Sequence, residues 1–287
     1  MRPSRPNANC AGRDESRPYR FFHSFASPLM MRISEWISLA FLALFLFLSL
    51  VRRLPLRNRI TIMALSMIGV VLIWVGLLYS VLRDWVPVLL MLIVYWQGGA
   101  FYRTPNEQLQ KYLEAFERKF AFVQKISLHD FWEAAYFFCY PLVPTAVLAL
   151  KLLHLSSHMD FFWTIVLPPT FACHLIVSFF PTLPPWESQM PQFNRISRKL
   201  NRIVVQHLSI RINTFPSAHV TASVAIALAI LQLHLVAGLI FLFFAISITI
   251  ATVVGRYHYT ADAVWGILIA AAWFVFLAFL APWRFNH

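Results

Sequence analysis

Long, unbroken runs of apolar side chains limit what this chain can fold into. The runs near 217–235, 236–255 and 261–281 are the clearest. They show neither strand alternation nor a one-faced helical stripe, and that pattern belongs to helices surrounded by lipid. A helix needs about 20 apolar residues to cross a hydrocarbon core of about 30 Å. Further runs near 34–51, 60–82, 85–101, 131–153 and 160–181 bring the predicted number of spans to eight. The run at 85–101 is the shortest and also fits a re-entrant segment. Composition agrees, since 59% of the 287 residues are hydrophobic and 13% are charged. A soluble domain is about 25% charged, so this chain has too few charges to coat a water-facing surface. The predicted fold class is therefore all-α, a polytopic transmembrane helix bundle of about eight spans.

Three regions are expected. Residues 1–32 form a basic tail in which Arg2, Arg5, Arg13, Arg17, Arg20 and Arg32 outnumber Asp14 and Glu15. Its composition predicts disorder. Met30 and Met31 directly precede the first apolar run, and we expect the true start there. Arg52 and Arg53, with no small-residue cleavage site, follow that run, so it reads as a retained anchor. Residues 33–159 are expected to hold the N-terminal membrane helices, and 160–287 the catalytic membrane core. Pro141, Pro144, Pro168 and Pro169 predict kinks in spans four and five. The polar stretch 102–130 predicts a surface helix. In 193–211 apolar residues recur at helical spacing with bases on other faces, which predicts an amphipathic helix in the headgroup layer.

The formal charge is +12. The bases sit in loops between apolar runs, which points to membrane lipids and phosphorylated lipids as partners. No nucleic-acid motif is present. Cys10, Cys139 and Cys173 make no CxxC pair, so no metal site or disulfide framework is indicated, and no cofactor is called for.

Two short segments carry chemistry: Phe215-Pro216-Ser217-Ala218-His219 and Arg256-Tyr257-His258-Tyr259-Thr260-Ala261-Asp262. Thirty-eight residues separate the two histidines. As one helix they would extend about 57 Å, twice the hydrocarbon thickness. The chain must cross and return through a tight turn near 235–237, which brings both histidines to one side. His258 and Asp262, four apart, would share a helix face, and the carboxylate would fix the imidazole tautomer. Ser217 is a favoured helix N-cap, and free amides there attract anions. His129, His154, His158 and His234 read as packed or capping side chains, while His174 admits a packed or a functional role.

These residues resemble the type 2 phosphatidic acid phosphatase superfamily, which includes vanadium haloperoxidases. Pro216-Ser217-Ala218-His219 is similar to its second motif, Pro-Ser-Gly-His, and His258 to Asp262 to its third, His-x-x-x-Asp. The His-Tyr-x-x-Asp form resembles the inositol phosphorylceramide synthase and sphingomyelin synthase branch. The resemblance covers about residues 160–287, with a weaker likeness at Arg83-Asp84-Trp85 and Tyr95-Trp96. It implies a type 2 phosphatidic acid phosphatase-like helical core at the C-terminal end. It also implies metal-independent chemistry with His258 as nucleophile, Asp262 orienting it, His219 as general acid and Ser217 as phosphate ligand. Ala218 replaces the usual glycine, and Thr252 stands where the family carries an arginine. Arg256 is a substitute for that charge. The Lys and Arg-Pro first motif is missing, and Arg211, Arg202, Arg198 and Lys199 are candidates to replace it, with Arg211 nearest. Pro184-Pro185-Trp186 is expected to shape the pocket rim.

The expected activity is an integral membrane phosphatase or phosphotransferase acting on a lipid phosphate ester or diphosphate through a phosphohistidine. A headgroup transferase using an alcohol acceptor is the alternative, and a non-enzymatic transporter is the second. The resemblance implies a site on the extracytoplasmic face of the plasma (inner) membrane. The positive-inside tendency points the other way, and the resemblance is the expectation carried forward.

Overall fold

The structure, a computed structural model, describes residues 30–102, 104–120, 122–123, 128–185, 201, 203, 209–210, 212 and 215–280. The basic tail before Met30, most of the expected amphipathic segment 193–211, Trp186, and the candidates Arg198, Lys199, Arg202 and Arg211 lie outside the described residues.

Regular structure among the described residues is helical. The helices are α1 (Ile33–Val51), α2 (Leu56–Leu78), α3 (Ser80–Arg83), α4 (Val86–Ala100), α5 (Glu107–Lys119), α6 (His129–Phe137), α7 (Cys139–Leu152), α8 (Met159–Val177), α9 (Ala218–Leu233), α10 (Leu235–Val254) and α11 (Thr260–Leu280). Apolar helices occupy all eight expected places. By length and apolarity, five of them (α1, α2, α8, α10 and α11) can cross a membrane, which marks an integral membrane protein. The pair α6–α7 adds a sixth if the two are one bent span. Eight full spans are not supported, because α4 has 15 residues and α9 has 16. At 1.5 Å per residue each falls short of the hydrocarbon thickness.

Helix α8 is the centre of the bundle. It packs against α1, α4, α9 and α11, and Phe162, Trp163 and Phe171 on it are fully buried. On the outer helices Trp36, Phe47, Met67, Trp74, Phe243 and Phe279 are exposed. Large apolar side chains facing outward are what a lipid solvent selects.

The bend between α6 and α7 is 56°. It falls at Phe138, and Pro141 explains the position. Its ring clashes with the carbonyl four residues back, at Phe137, and it offers no N–H to that carbonyl. Pro168 and Pro169, by contrast, lie within a continuous α8.

The end of the bundle holding the N-terminus of α1 is tied by an ionic lattice. Arg83 grips Glu35 with two bonds of 2.6 and 2.8 Å. Asp84 accepts from Arg32 at 2.7 Å and from Lys151 at 2.6 Å. Asp160 of α8 accepts the first amides of α1, from Ile33 and Ser34, at 3.3 and 3.0 Å. Donation to Glu35 raises the Arg83 pKa, against the desolvation that opposes the charge. This lattice absorbs the Arg83-Asp84-Trp85 motif into structure.

At the same end α9 and α10 are joined by one non-helical residue. His234 caps α10, its Nδ1 accepting from Ala237 N at 3.2 Å. The two backbones then nearly touch. A Cβ at Gly238 would lie 2.2 Å from Leu231 Cα, so only glycine fits.

Two stability predictions follow from these contacts. Gly238→Ala forces the hairpin apart and costs about 1–3 kcal/mol, read as a lowered midpoint of thermal unfolding in detergent. Asp84→Ala leaves two cations without their carboxylate. Loss of a buried pair costs about 3–5 kcal/mol, and we expect the low end because Arg32 and Lys151 side chains are 25% and 28% exposed. An unchanged midpoint in either variant contradicts the corresponding contact.

Candidate active site

The C-terminus of α10 is built to present a histidine. Tyr257 N donates to Thr252 O at 2.9 Å and Arg256 N to Val253 O at 3.0 Å. Arg256 between them is left-handed, with φ 62°. Together these form a Schellman cap, in which one left-handed residue reverses the chain. Thr252 O also accepts His258 N at 3.0 Å. Thr252, the position where the resemblance expects an arginine, therefore contributes its carbonyl to hold His258.

Helix α11 then starts under three constraints. Asp262 Oδ2 accepts Tyr259 N at 2.9 Å. Glu117 of α5 accepts Thr260 N at 2.8 Å, and Gln110 of α5 donates to the Tyr259 hydroxyl at 2.8 Å. The expected surface helix thus clamps the start of α11. Burial raises the Tyr259 phenol above its ordinary pKa, with Glu114 adding to the effect, so the hydroxyl stays neutral.

Asp262 is fully buried, and its Oδ2 lies 3.4 Å from His258 Nδ1. One detail differs from expectation. His258 precedes α11 and is not helical, so the pair meets across a helix N-terminus and not along one face. The reason is the Schellman turn, which ends α10 and leaves His258 and Tyr259 in the link to α11.

Ser217 is the N-cap of α9, its Oγ accepting Val220 N at 3.4 Å. Ser217 N in turn donates to Asp262 O at 3.0 Å. The α9 and α11 backbones approach closely here. A Cβ at Gly266 would lie 2.8 Å from Ser217 O, and Thr221 Oγ1 donates to Gly266 O at 3.1 Å. The two motifs are joined through main chain, and the His219 and His258 rings come to 5.8 Å between centroids. One tetrahedral phosphorus fits between groups at that spacing.

A cavity of about 350 Å³ opens beside the pair and both imidazoles line it. Tyr136 and Tyr140 meet the His219 ring edge-on at 5.9 and 5.7 Å. Tyr136 also stacks flat on Tyr257 at 3.5 Å. The Tyr257 hydroxyl donates to buried Glu133 at 2.6 Å, and Asn201 Nδ2 donates to the same carboxylate at 2.8 Å. Val88, Met91 and Leu92 of α4 and Leu142 and Val143 of α7 continue the cavity as apolar walls.

Not every expected site residue lines this space. Ser217 is fully buried and Arg256 half-buried, and neither is part of the cavity lining. Arg211 lies outside the described residues. Pro184 does line the cavity, where a rim residue was expected. Tyr136 and Tyr140 beside the histidine pair, and Glu133 bonded to Tyr257, are not singled out by the sequence analysis. The i,i+3 spacing of Glu133 and Tyr136 shares one face of α6, but Tyr140 lies beyond the 56° bend, so spacing alone does not bring it to His219.

Neither a curated protein nor a solved structure matches the chain. The model of the PAP2 superfamily matches residues 112–276. That segment takes in α9, α10 and most of α11 with both histidine motifs, and it is more than half of the chain. The chain belongs to the PAP2 superfamily.

Proposed function

We propose that this protein is a membrane-embedded phosphatase or phosphotransferase that acts on a lipid phosphate ester or diphosphate. The observation carrying the reading is the His219–His258 pair, 5.8 Å apart, with Asp262 behind His258. His258 Nδ1 faces the carboxylate, so Nε2 is the nitrogen available to phosphorus. Nε2 attacks, the ester P–O bond breaks, and protonated His219 gives its proton to the leaving oxygen. Asp262 stabilises the positive charge that the ring acquires. Water or an alcohol then attacks phosphorus, the P–N bond breaks, and His219 takes the proton back. Water makes the enzyme a phosphatase, and an alcohol makes it a headgroup transferase.

A lipid substrate is supported by the cavity. Its α4 wall includes Leu92 and Trp96, which are 47% and 41% exposed. An apolar tail can therefore lie between the imidazoles and the lipid. Ser217 and Arg256, with Arg211, are the groups we assign to phosphate binding. Ser217 caps α9 at the anion-attracting end of the helix, and the Arg256 charge stands two residues from the nucleophile. The reading includes an inner-membrane location with the site facing away from the cytoplasm.

The test is turnover of phosphatidic acid and of a polyprenyl diphosphate by the purified chain in detergent. His258→Ala loses at least about 10⁴-fold in kcat, as removal of a nucleophile does. His219→Asn loses about 10²–10⁴-fold and accumulates no more phosphoenzyme than wild type. Equal phosphate release by wild type and His258→Ala overturns the mechanism. For sidedness, Gln108→Cys on exposed α5, in a Cys10→Ser background, is expected to react with a membrane-impermeant maleimide in intact cells. Reaction only after lysis reverses the orientation.

A further inference from the structure

Helix α8 carries a third imidazole into the same cavity. His174 lines it together with His219 and His258. It is only 5% exposed, and its Nδ1 has no hydrogen-bond partner among the described residues. Its ring is packed edge-on against Tyr95 at 5.4 Å, so its place is set by packing. The other polar groups on this wall are already engaged. The Thr170 hydroxyl donates to Val166 O at 2.7 Å and that of Ser223 to Val220 O at 3.0 Å. The Tyr95 hydroxyl meets Ser209 Oγ at 3.2 Å and accepts Ile210 N at 2.8 Å. A polar atom left unsatisfied in an apolar wall costs stability, and a phenylalanine would fill the space without that cost. The imidazole therefore has a use that appears when the cavity is filled.

The reaction leaves one task open. In the second half-reaction a hydroxyl must be aimed at phosphorus while His219 takes its hydrogen. Its oxygen then needs a donor to fix the direction of its lone pair, and a neutral imidazole has one N–H to give. We propose that His174 is the positioning residue for the attacking hydroxyl, water or alcohol, donating an N–H to its oxygen inside the cavity. The oxygen forms its bond to phosphorus, the P–Nε2 bond of His258 breaks with its electron pair returning to the ring, and the hydrogen passes to His219. His174 neither gains nor loses a proton. This assignment rests on the phosphohistidine reading above and adds the residue that governs its second step.

The experiment separates the two half-reactions. The full chain in detergent micelles is mixed with ³²P-labelled phosphatidic acid and quenched in alkali, which preserves phosphohistidine. Diacylglycerol, free phosphate and protein-bound ³²P are followed, with and without 1-butanol as acceptor. His174→Phe is expected to keep a burst of diacylglycerol, which also counts correctly folded sites. Steady-state phosphate release then falls about 10–100-fold, the penalty of a misplaced reactant, and bound ³²P rises. His174→Gln carries an amide N–H to about the place of Nε2, the ring nitrogen not sealed in the wall, and restores release to within about threefold of wild type. Loss of release to water and butanol alike assigns His174 to any hydroxyl, and loss of butanol transfer alone assigns it to an alcohol. If His174→Phe slows burst and steady state equally, or slows neither, the assignment is wrong. It is equally wrong if Gln is as poor as Phe. Failure of the underlying reading looks different: His258→Ala would still release phosphate, or wild type would release none.

Discussion

The bond from Ser217 N to Asp262 O carries the architecture of the site. It ties the start of α9 to the start of α11, two points 45 residues apart in sequence. The side chain of the same aspartate receives Tyr259 N and stands against His258. One buried residue thus sets the main-chain register of the first motif and the orientation of the second. In an apolar bundle the cost of an unpaired carbonyl or amide is high, so these ties are hard to exchange for others. The imidazole spacing follows from backbone geometry before any side chain adjusts.

Membrane burial explains where the rest of the polarity went. Charges at the far end pair with one another in the Arg32, Glu35, Arg83, Asp84 and Lys151 lattice. At the near end Glu133 is bonded by Tyr257 and Asn201, and Glu117 by the first amide of α11. Each carboxylate joins elements distant in sequence. The middle of the bundle is left to α8, whose Phe162, Trp163 and Phe171 are fully buried.

Much of this was legible in the sequence because it depends on short-range rules. Apolar run length located the apolar helices, and the 38-residue separation required a hairpin. The N-cap preference identified Ser217, and the mixed-charge stretch after 102 became α5. What failed to show depends on contacts between segments. Run length overstated the spans, since α4 and α9 are too short to cross alone. The i,i+4 rule put His258 on the helix of Asp262, but the Schellman turn at Arg256 leaves it in the link before α11. Tyr136 and Tyr140 sit in an apolar run, where aromatic residues usually signify packing, and nothing local says that they face His219. The carbonyl role of Thr252 leaves no mark in sequence, because every residue has a carbonyl.

The cavity has two origins along the chain. Its imidazoles and the Tyr136–Tyr140 wall fall inside the segment 112–276 that matches the superfamily, while Val88, Met91, Leu92 and Tyr95 of α4 stand upstream of it. The histidine pair thus lies within the matched segment, and the α4 wall lies before it. Divergence in α4 can reshape the space offered to a tail or headgroup without moving an atom of the histidine pair. The room beside the two imidazoles is therefore set in part by a helix that carries neither of them.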